Sequence, residues 1–344
     1  MKTDGRHFRL FKIPKNVSRM PHGERTFCEQ KKNACAPPFR VGLTLRKRCC
    51  IINKQLNNSR GIPRRKKDMT VSIKLILDSS ADLNALEGVE FAYTPMKIVT
   101  AEREFIDNKS GDAAEMVEYL AAYRGRSSTS CPNVEDWLDS FGDAKQILCI
   151  TITGGLSGSC NAACTAGKLY EEAHPDRRVV IIDSLTAGPE IALMAERARD
   201  LAREGLSLNE IAERLGQYRT ELIFVLESLR NFANNGRVSK TAAAAAGFLG
   251  IRAVGRASDQ GTPEMLTKAR GEAKALDAVM TYLAGLGYKG GRLAIHHCMA
   301  DTTVSRLSHM IRNAYPSADI TVRRTRCLCS YYAERGGFLV GFEA

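Results

Sequence analysis

The sequence predicts an α/β protein built of two α/β domains. From Val71 onward, short apolar runs alternate with amphipathic helical patterns, and this alternation is typical of a parallel sheet covered by helices. After residue 220 the helices are interspersed with short strands, which favours a mixed or antiparallel second sheet. We expect a first domain over 70–220, a second over 221–344, and a ligand at their junction, beyond the ends of the first strands.

The strands are read from runs rich in Val, Ile and Leu, and the helices from apolar residues recurring every three or four positions. In the first domain we predict strands at 72–78, 94–99, 146–152 and 178–183, with helices at 111–122, 134–141, 158–173, 187–204 and 208–217. In the second we predict strands at 222–226, 291–297, 318–323 and 337–342, with helices at 240–250, 270–286 and 302–313.

The net charge of +12 comes from one end of the chain. Residues 1–68 hold 19 Lys and Arg against 4 Asp and Glu, whereas the remaining 276 residues carry a net −3. The folded body therefore lacks the basic character of a nucleic-acid-binding protein. We expect 1–68 to be a disordered extension, either with no native role because Met69 is the natural start, or acting as a basic arm.

The cysteines and apolar runs exclude several classes of protein. The 11 cysteines form no CxxC pair, so neither a disulfide scaffold nor a zinc site is expected. We expect the cysteines to be reduced core residues of a cytoplasmic protein. We place Cys327-Leu328-Cys329 on a strand. The longest apolar run, from Ala242 to Ile251, is too short to cross a bilayer.

Hydroxyl-rich segments follow the predicted strands. Asp78-Ser79 and Asp183-Ser184 end two strands of one sheet, which suggests a common rim. The run Arg126–Asn133 contains Thr129 and Ser130 and leads through Pro132 into a helix. It is either a capped helix start or a set of hydroxyl donors to an anion.

A glycine-rich turn, Thr151–Ala163 (TITGGLSGSCNAA), follows an apolar strand. It lacks the lysine of a P-loop, the GxGxxG spacing of a dinucleotide site and the GxSxG pattern of a serine nucleophile. What remains is a helix N-terminus with the Ser157 hydroxyl, which is suited to an anion.

Together these segments resemble the DegV family. DSSADL, TSCPN, GGLSGS, IIDS, LESLRNFANNGRVSK and Lys268-Ala269-Arg270 occur in the family's order, and the resemblance covers roughly 71–344. The resemblance implies two α/β domains that hold one long-chain fatty acid between them. It also implies a role as the fatty-acid-binding subunit of a bacterial fatty-acid kinase, without a nucleotide site or cofactor of its own.

The resemblance also implies site residues. Thr129 and Ser157 match family positions that contact the carboxylate, with Ser130 beside them, and Arg237 and Arg270 match arginines expected where the kinase subunit docks and phosphoryl transfer occurs. The chain departs from the family at its end, where Tyr332 stands in place of the histidine of a HTGPG segment. A tyrosine hydroxyl can donate to a carboxylate, but it brings no positive charge. Asn235 replaces a glycine before Gly236.

A second hypothesis remains open. His296 and His297 end a predicted strand, and a strand-end histidine near a crevice can contact a carboxylate or act as a base. The alternative is therefore a stand-alone hydrolase or transferase that uses Ser157 with His297.

Overall fold

A computed structural model describes residues 50–51, 72–239, 241 and 250–344. The described strands are β1 (Cys50–Ile51), β2 (Ile73–Asp78), β3 (Glu90–Thr94), β4 (Lys97–Val99), β5 (Glu104–Ile106), β6 (Ser128–Ser130), β7 (Gln146–Thr151), β8 (Arg178–Asp183), β9 (Thr220–Leu226), β10 (Ile251–Ala257), β11 (Pro263–Arg270), β12 (Arg292–His297), β13 (Asp319–Arg324) and β14 (Phe338–Glu343). The described helices are α1 (Ala113–Ala122), α2 (Val134–Phe141), α3 (Ser159–Ala173), α4 (Pro189–Arg203), α5 (Leu208–Gln217), α6 (Arg230–Asn234), α7 (Glu272–Gly285), α8 (Asp301–Ala314) and α9 (Cys327–Ala333).

The first sheet has the order β1-β8-β7-β2-β3, and its four longer strands are parallel. Side chains alternate between its faces, as they do along any strand. On one face, residues such as Leu75 and Leu148 pack against α4 and α5; on the other, residues such as Ile76 and Ile147 pack against α2 and α3. The parallel sheet covered by helices is confirmed.

The second sheet has the order β11-β10-β9-β14-β12-β13 and is mixed, since its only parallel pair within the described chain is β12 with β13. Along β9, Ile223 and Val225 face the core formed with α7 and α8, whereas Phe224 and Leu226 face the opposite side. A small antiparallel sheet of order β5-β4-β6 completes the architecture. The predicted α/β class is confirmed.

Helix α4 packs against strands of both larger sheets: β2 and β7 of the first, and β9, β12 and β14 of the second. Nine of its 15 residues are buried, and its first turn lies so close to β14 that a Cβ on Gly341 would be 2.6 Å from the backbone nitrogen of Glu190. Because α4 belongs to the predicted first domain, it ties that domain to the second sheet. The division at residue 220 stays a prediction.

Some predicted elements differ from the structure. The strand predicted at 94–99 is two strands, β3 and β4, interrupted at Pro95, which has no N–H to donate to a ladder. Cys327-Leu328-Cys329 lies on helix α9, so its placement on a strand was wrong. The backbone N–H groups of Cys327 and Leu328 donate to the buried Asp107 carboxylate, a contact that local alternation cannot reveal.

Two further predictions concern segments of which the structure describes only a few residues. Cys50–Ile51 pairs antiparallel with β8, which departs from the disorder predicted for 1–68; the rest of that segment lies outside the described residues. The predicted helix at 240–250 also lies almost wholly outside them. Among the helices described, none combines the length and the apolar character needed to span a membrane.

Candidate ligand-binding site

A cavity of about 300 Å³ lies where the first sheet, the second sheet and helix α9 meet. Its apolar lining comes from strands of the second sheet, from α6 and α9, and from loops that follow strands of the first sheet: Met96, Ile152, Leu156, Ala187, Leu222, Phe224, Leu226, Phe232, Ala257, Pro263, Leu328, Ala333 and Leu339. Five of the predicted site residues also line it: Thr129, Ser130, Ser157, Arg237 and Tyr332. The structure thus brings distant polar motifs to one apolar space.

Thr129 and Tyr332 lie next to each other in the cavity wall. The Thr129 hydroxyl lies 2.9 Å from the Tyr332 hydroxyl, and either can donate. The Tyr332 ring packs on Phe232, with ring centroids 4.6 Å apart. Burial raises the pKa of Tyr332, while the Thr129 hydrogen bond and nearby Arg237 oppose that rise. The phenol therefore keeps its proton at neutral pH and can donate to an anion.

Asn235 joins three segments around this hydroxyl pair. Its side-chain oxygen accepts from the backbone N–H of Thr129 at 3.3 Å, and its side-chain nitrogen donates to the Tyr331 hydroxyl at 2.8 Å. The Tyr331 hydroxyl also lies 2.9 Å from that of Ser127. Two departures from the DegV pattern, Asn235 and Tyr332, thus belong to one hydrogen-bond network. Composition alone gave no signal for the roles of Asn235, Tyr331 and Ser127 in it.

The glycine-rich turn between β7 and α3 is held by the two strand-end aspartates. Asp78 accepts from the backbone N–H of Ile152 at 2.8 Å and from the Ser159 hydroxyl at 2.7 Å. Asp183 accepts from the backbone N–H of Gly154 at 3.1 Å. The common rim predicted from the Asp-Ser pairs is confirmed, and its function is to position the loop that carries Ser157.

The segment before α2 is a capped helix start as well as part of the cavity wall. The side chains and backbones of Asn133 and Asp136 form a reciprocal capping box, and Pro132 precedes the cap, outside the first helical turn expected for it. Thr129 and Ser130 lie on β6, just upstream. The capped helix start is therefore confirmed, and the role of these hydroxyls as donors to an anion stays a prediction.

Arg237 lies between the cavity and a second, more open groove of about 770 Å³. Its Nε donates to the Leu156 carbonyl at 3.2 Å, and it also donates to the Asn235 carbonyl. The groove is lined by the outer side of the glycine-rich turn and by charged and thiol side chains of α3 and β8, among them Cys160, Cys164, Lys168 and Asp183. Arg237 is thus a cation at the border of the two spaces.

His297 and Arg270 lie elsewhere. His297 is not among the described residues that line the cavity. Its Nδ1 accepts from the backbone N–H of Ala300 at 3.1 Å inside the β12–α8 turn. The structure therefore does not bring it to Ser157. Arg270 is exposed at the end of β11 and lines neither the cavity nor the groove as far as the chain is described.

A buried polar network that we did not predict lies behind the cavity. His296 Nδ1 is 2.9 Å from Asp82, whose other oxygen accepts from the backbone N–H of Arg326 at 2.7 Å. Arg326 Nε lies 3.3 Å from Asp107, whose carboxylate accepts from the first N–H groups of α9. The network joins the strand-end segment DSSADL to the helix that carries Tyr332, and its sequence signals were Asp82 in that motif and the strand-end His296.

No three His, Cys, Asp or Glu side chains converge as metal ligands anywhere in the described residues. The polar groups at the cavity are hydroxyls, thiols, backbone amides and the guanidinium groups of Arg237 and Arg256, a set suited to an anion. The apolar walls in turn suit a hydrocarbon chain.

A family model agrees with the motif resemblance. Residues 72–344 match the model described as an uncharacterised protein, DegV family. The chain belongs to the DegV family. A DegV domain-containing protein of Streptococcus pneumoniae is 41% identical over 276 residues, covering 78% of this chain and 98% of the relative.

Solved DegV structures are similar in fold. The S. pneumoniae Fatty Acid Kinase (Fak) B3 protein loaded with linoleic acid has 41% identity and a TM-score of 0.78, covering 79% of this chain and 99% of the other. A DegV family protein from Eubacterium eligens loaded with heptadecanoic acid has 39% identity and the same TM-score, covering 79% and 100%. These DegV relatives hold fatty acids.

Proposed function

We propose that this DegV protein binds one long-chain fatty acid, with its acyl chain in the apolar cavity and its carboxylate at Thr129, Ser157 and Tyr332. The observation that carries the proposal is that these three hydroxyl residues, from three separate motifs, line one apolar cavity. The fatty acids held by the pneumococcal and E. eligens relatives support it.

The acyl chain supplies most of the binding free energy in this proposal. Burying about 14 methylene groups at roughly 0.8 kcal/mol each gives a gross gain on the order of 11 kcal/mol. Hydrogen bonds to the carboxylate add about 1.5–3 kcal/mol each before the cost of association is subtracted. The hydrocarbon therefore sets affinity, and the hydroxyls set orientation.

The carboxylate end is recognised without a metal or a cofactor in this proposal. Tyr332 and Thr129 hydrogen-bond to each other at 2.9 Å, so a carboxylate that enters between them can accept from both hydroxyls. Ser157 approaches from the loop between β7 and α3, with Ser130 beside Thr129 and Arg237 at the border of the groove. The cation favours the ionised carboxylate, a role that Tyr332 cannot fill.

The protein acts as a binding subunit that presents the carboxylate to a separate ATP-dependent fatty-acid kinase and carries away the acyl phosphate. The relative named Fatty Acid Kinase (Fak) B3 supports this partnership. Arg237, at the cavity border, is the residue nearest to the transferred phosphoryl group, and Arg270 is a contact for the kinase subunit. Location in the cytoplasm, expected from the cysteine pattern, belongs to the same proposal.

Lipid extraction and mass spectrometry of the purified protein test the binding function. We expect about one long-chain fatty acid per chain, as one cavity of this kind accommodates. Loss of bound fatty acid in a Thr129→Val, Ser157→Ala double variant that still folds supports the assignment. Extracts that contain no fatty acid, from protein expressed with fatty acid supplied, contradict it.

The alternative is a serine-dependent hydrolase or transferase that uses Ser157 with His297. It predicts cleavage of p-nitrophenyl acyl esters that both Ser157→Ala and His297→Gln abolish. We expect no such cleavage, because the ring of His297 is engaged by Ala300 and lies outside the cavity lining. Turnover that depends on both residues would overturn the binding-subunit proposal.

A further inference from the structure

Cys160 and Cys164 lie one turn apart on helix α3 and face the groove beside the proposed carboxylate site. Cys160 is buried, whereas Cys164 is partly exposed. Lys168, a further turn along, and Asp183 of β8 line the same groove. Ser157 and Gly158, the residues immediately before α3, line both the groove and the cavity. A thiol pair is therefore built onto the helix that follows the ligand-contacting turn.

The two thiols are chemically unequal. The Cys160 thiol donates a hydrogen bond to the Cys164 sulfur, which lowers the pKa of Cys164, and the Lys168 ammonium acts in the same direction. Burial and the Asp183 carboxylate oppose this lowering. The same hydrogen bond, followed by burial, raises the pKa of Cys160. A partly exposed thiol with a lowered pKa and a neighbouring thiol is the arrangement found in redox-sensing pairs.

We propose that Cys164 is an oxidation site with Cys160 as its resolving thiol, and that the disulfide between them weakens fatty-acid binding. The oxidant is a peroxide, a class of reagent that reacts with accessible thiolates. The Cys164 thiolate attacks one peroxide oxygen, so that an S–O bond forms, the O–O bond breaks and hydroxide or alkoxide leaves. Cys160 sulfur then attacks the sulfenic sulfur, a disulfide forms, and water leaves with the thiol proton.

The helix geometry connects this oxidation to the ligand. Residues four apart on a helix have Cβ atoms about 5–6 Å apart, whereas a disulfide requires about 3.5–4.5 Å. Closing the bond must therefore distort the beginning of α3. Cys160 is the second residue of that helix, and the Ser157 hydroxyl accepts from the backbone N–H of Ser159 at 3.2 Å. The distortion reaches Ser157 directly, and this step rests on the proposed fatty-acid function.

The experiment treats the reduced full chain with hydrogen peroxide, quenches with iodoacetamide and maps disulfides by peptide mass spectrometry. Fatty-acid affinity is measured in parallel by displacement of a fluorescent fatty acid. We expect a Cys160–Cys164 disulfide and an affinity about tenfold or more weaker, the effect of losing one hydrogen bond to a charged group. Dithiothreitol should restore the affinity.

Matched variants separate this site from other thiols. Cys164→Ser and Cys160→Ser should each abolish the peroxide-dependent loss, whereas Cys131→Ser, at a partly exposed cysteine of the cavity wall, should retain it. Each variant is compared with its own reduced form, so a change in basal affinity does not affect the result. Peroxide that leaves Cys164 unoxidised, pairs it with another cysteine, or forms the disulfide without changing affinity overturns the proposal. Reduced protein that binds no fatty acid contradicts the proposed function instead, and the disulfide map still decides the oxidation site.

Discussion

Tyr332 and Thr129 illustrate how two hydroxyl groups satisfy each other at the wall of an apolar cavity. Each is the other's partner at 2.9 Å in the structure, so neither is left with an unsatisfied polar group beside apolar walls. Their neighbours Tyr331 and Ser127 form a parallel pair at 2.9 Å. The first pair lines the cavity through both of its members, whereas Tyr331 and Ser127 do not line it. The two adjacent tyrosines thus offer a matched comparison.

We expect Tyr332→Phe to weaken fatty-acid binding by roughly tenfold to a hundredfold, the loss of one hydrogen bond to a charged group. The loss should be smaller for the fatty-acid methyl ester, because bonds to ionised acceptors are stronger than bonds to neutral ones. Calorimetric titration with both ligands measures the difference. Tyr331→Phe is the control: it should reduce stability, but any change in affinity should be the same for the fatty acid and for its methyl ester. Equal losses for the two ligands in Tyr332→Phe would contradict a carboxylate contact.

Asp107 provides a prediction for pH. Burial raises its pKa from 3.8 to about 6, although Arg326 opposes the shift. A carboxyl group that binds its proton more tightly when folded makes the free energy of unfolding fall as pH rises from about 4 to about 6. In Asp107→Asn this contribution is absent, so the stability difference between the parent protein and the variant should decrease across that window and become constant above it.

Urea unfolding at a series of pH values from about 4 to 7.5 tests this expectation. The raised pKa of Asp78 affects both proteins equally and cancels in the difference. A flat difference for Asp107→Asn would show that Asp107 titrates at its ordinary pKa.

The hairpin between β10 and β11 is an element whose tip closes one side of the cavity. Gly261 and Thr262, at the tip, line the cavity together with Pro263. Gly261 has φ of +71°, and a Cβ there would lie 2.1 Å from the Thr153 hydroxyl and 2.9 Å from the Cα of Leu185. The tip therefore rests on loops that follow β7 and β8, and glycine is required for both conformation and contact.

We expect Gly261→Ala to destabilise the protein by about 1–3 kcal/mol more than Gly205→Ala, because overpacking adds to the strain of a positive φ. Gly205 has a similar φ of +82° with nothing within 4 Å of an added Cβ, so it isolates the conformational cost. Gly261→Ala should also speed fatty-acid exchange, since the displaced tip opens the cavity wall. Denaturant unfolding and stopped-flow ligand release measure the two effects. Identical behaviour of the two variants would exclude closure by the hairpin tip.

In the whole molecule, the cavity is lined by strands of the second sheet and by loops that follow strands of the first, and α4 packs on both sheets. The buried Glu190 of α4 accepts from Thr220 of β9 at 2.7 Å, and Arg292 of β12 lies 2.7 Å from Asp200. A ligand in the cavity therefore stabilises two sheets that α4 already joins, rather than one sheet alone.

Removal of the fatty acid should lower the thermal midpoint while leaving a single unfolding transition. A ligand present at 100 times its dissociation constant contributes about 2.7 kcal/mol by mass action. Calorimetry of delipidated and reloaded protein checks this, and the shift should shrink in Tyr332→Phe. Two separate transitions, or no shift on reloading, would contradict the shared cavity and joined core.

Local pattern was sufficient for much of this protein. Helices α2 and α5 and strand β8 begin and end where the apolar periodicity predicted, because caps and buried faces act over a few residues. The ordered motifs indicated the family and pointed to Thr129, Ser157 and Tyr332, which all line the cavity.

Tertiary structure decided what depends on contacts between distant segments. Cys327–Ala333 is helical with Asp107 binding its first N–H groups, Asn235 joins Thr129 to Tyr331, and His297 turns to Ala300 rather than to Ser157. Each depends on partners that approach only after the sheets and α4 have packed. The sequence was enough to determine which residues are apolar, which cap a helix and which carry a hydroxyl. Only the packed chain determined which of them meet, because side-chain hydrogen bonds and cavity walls form between elements far apart in the chain.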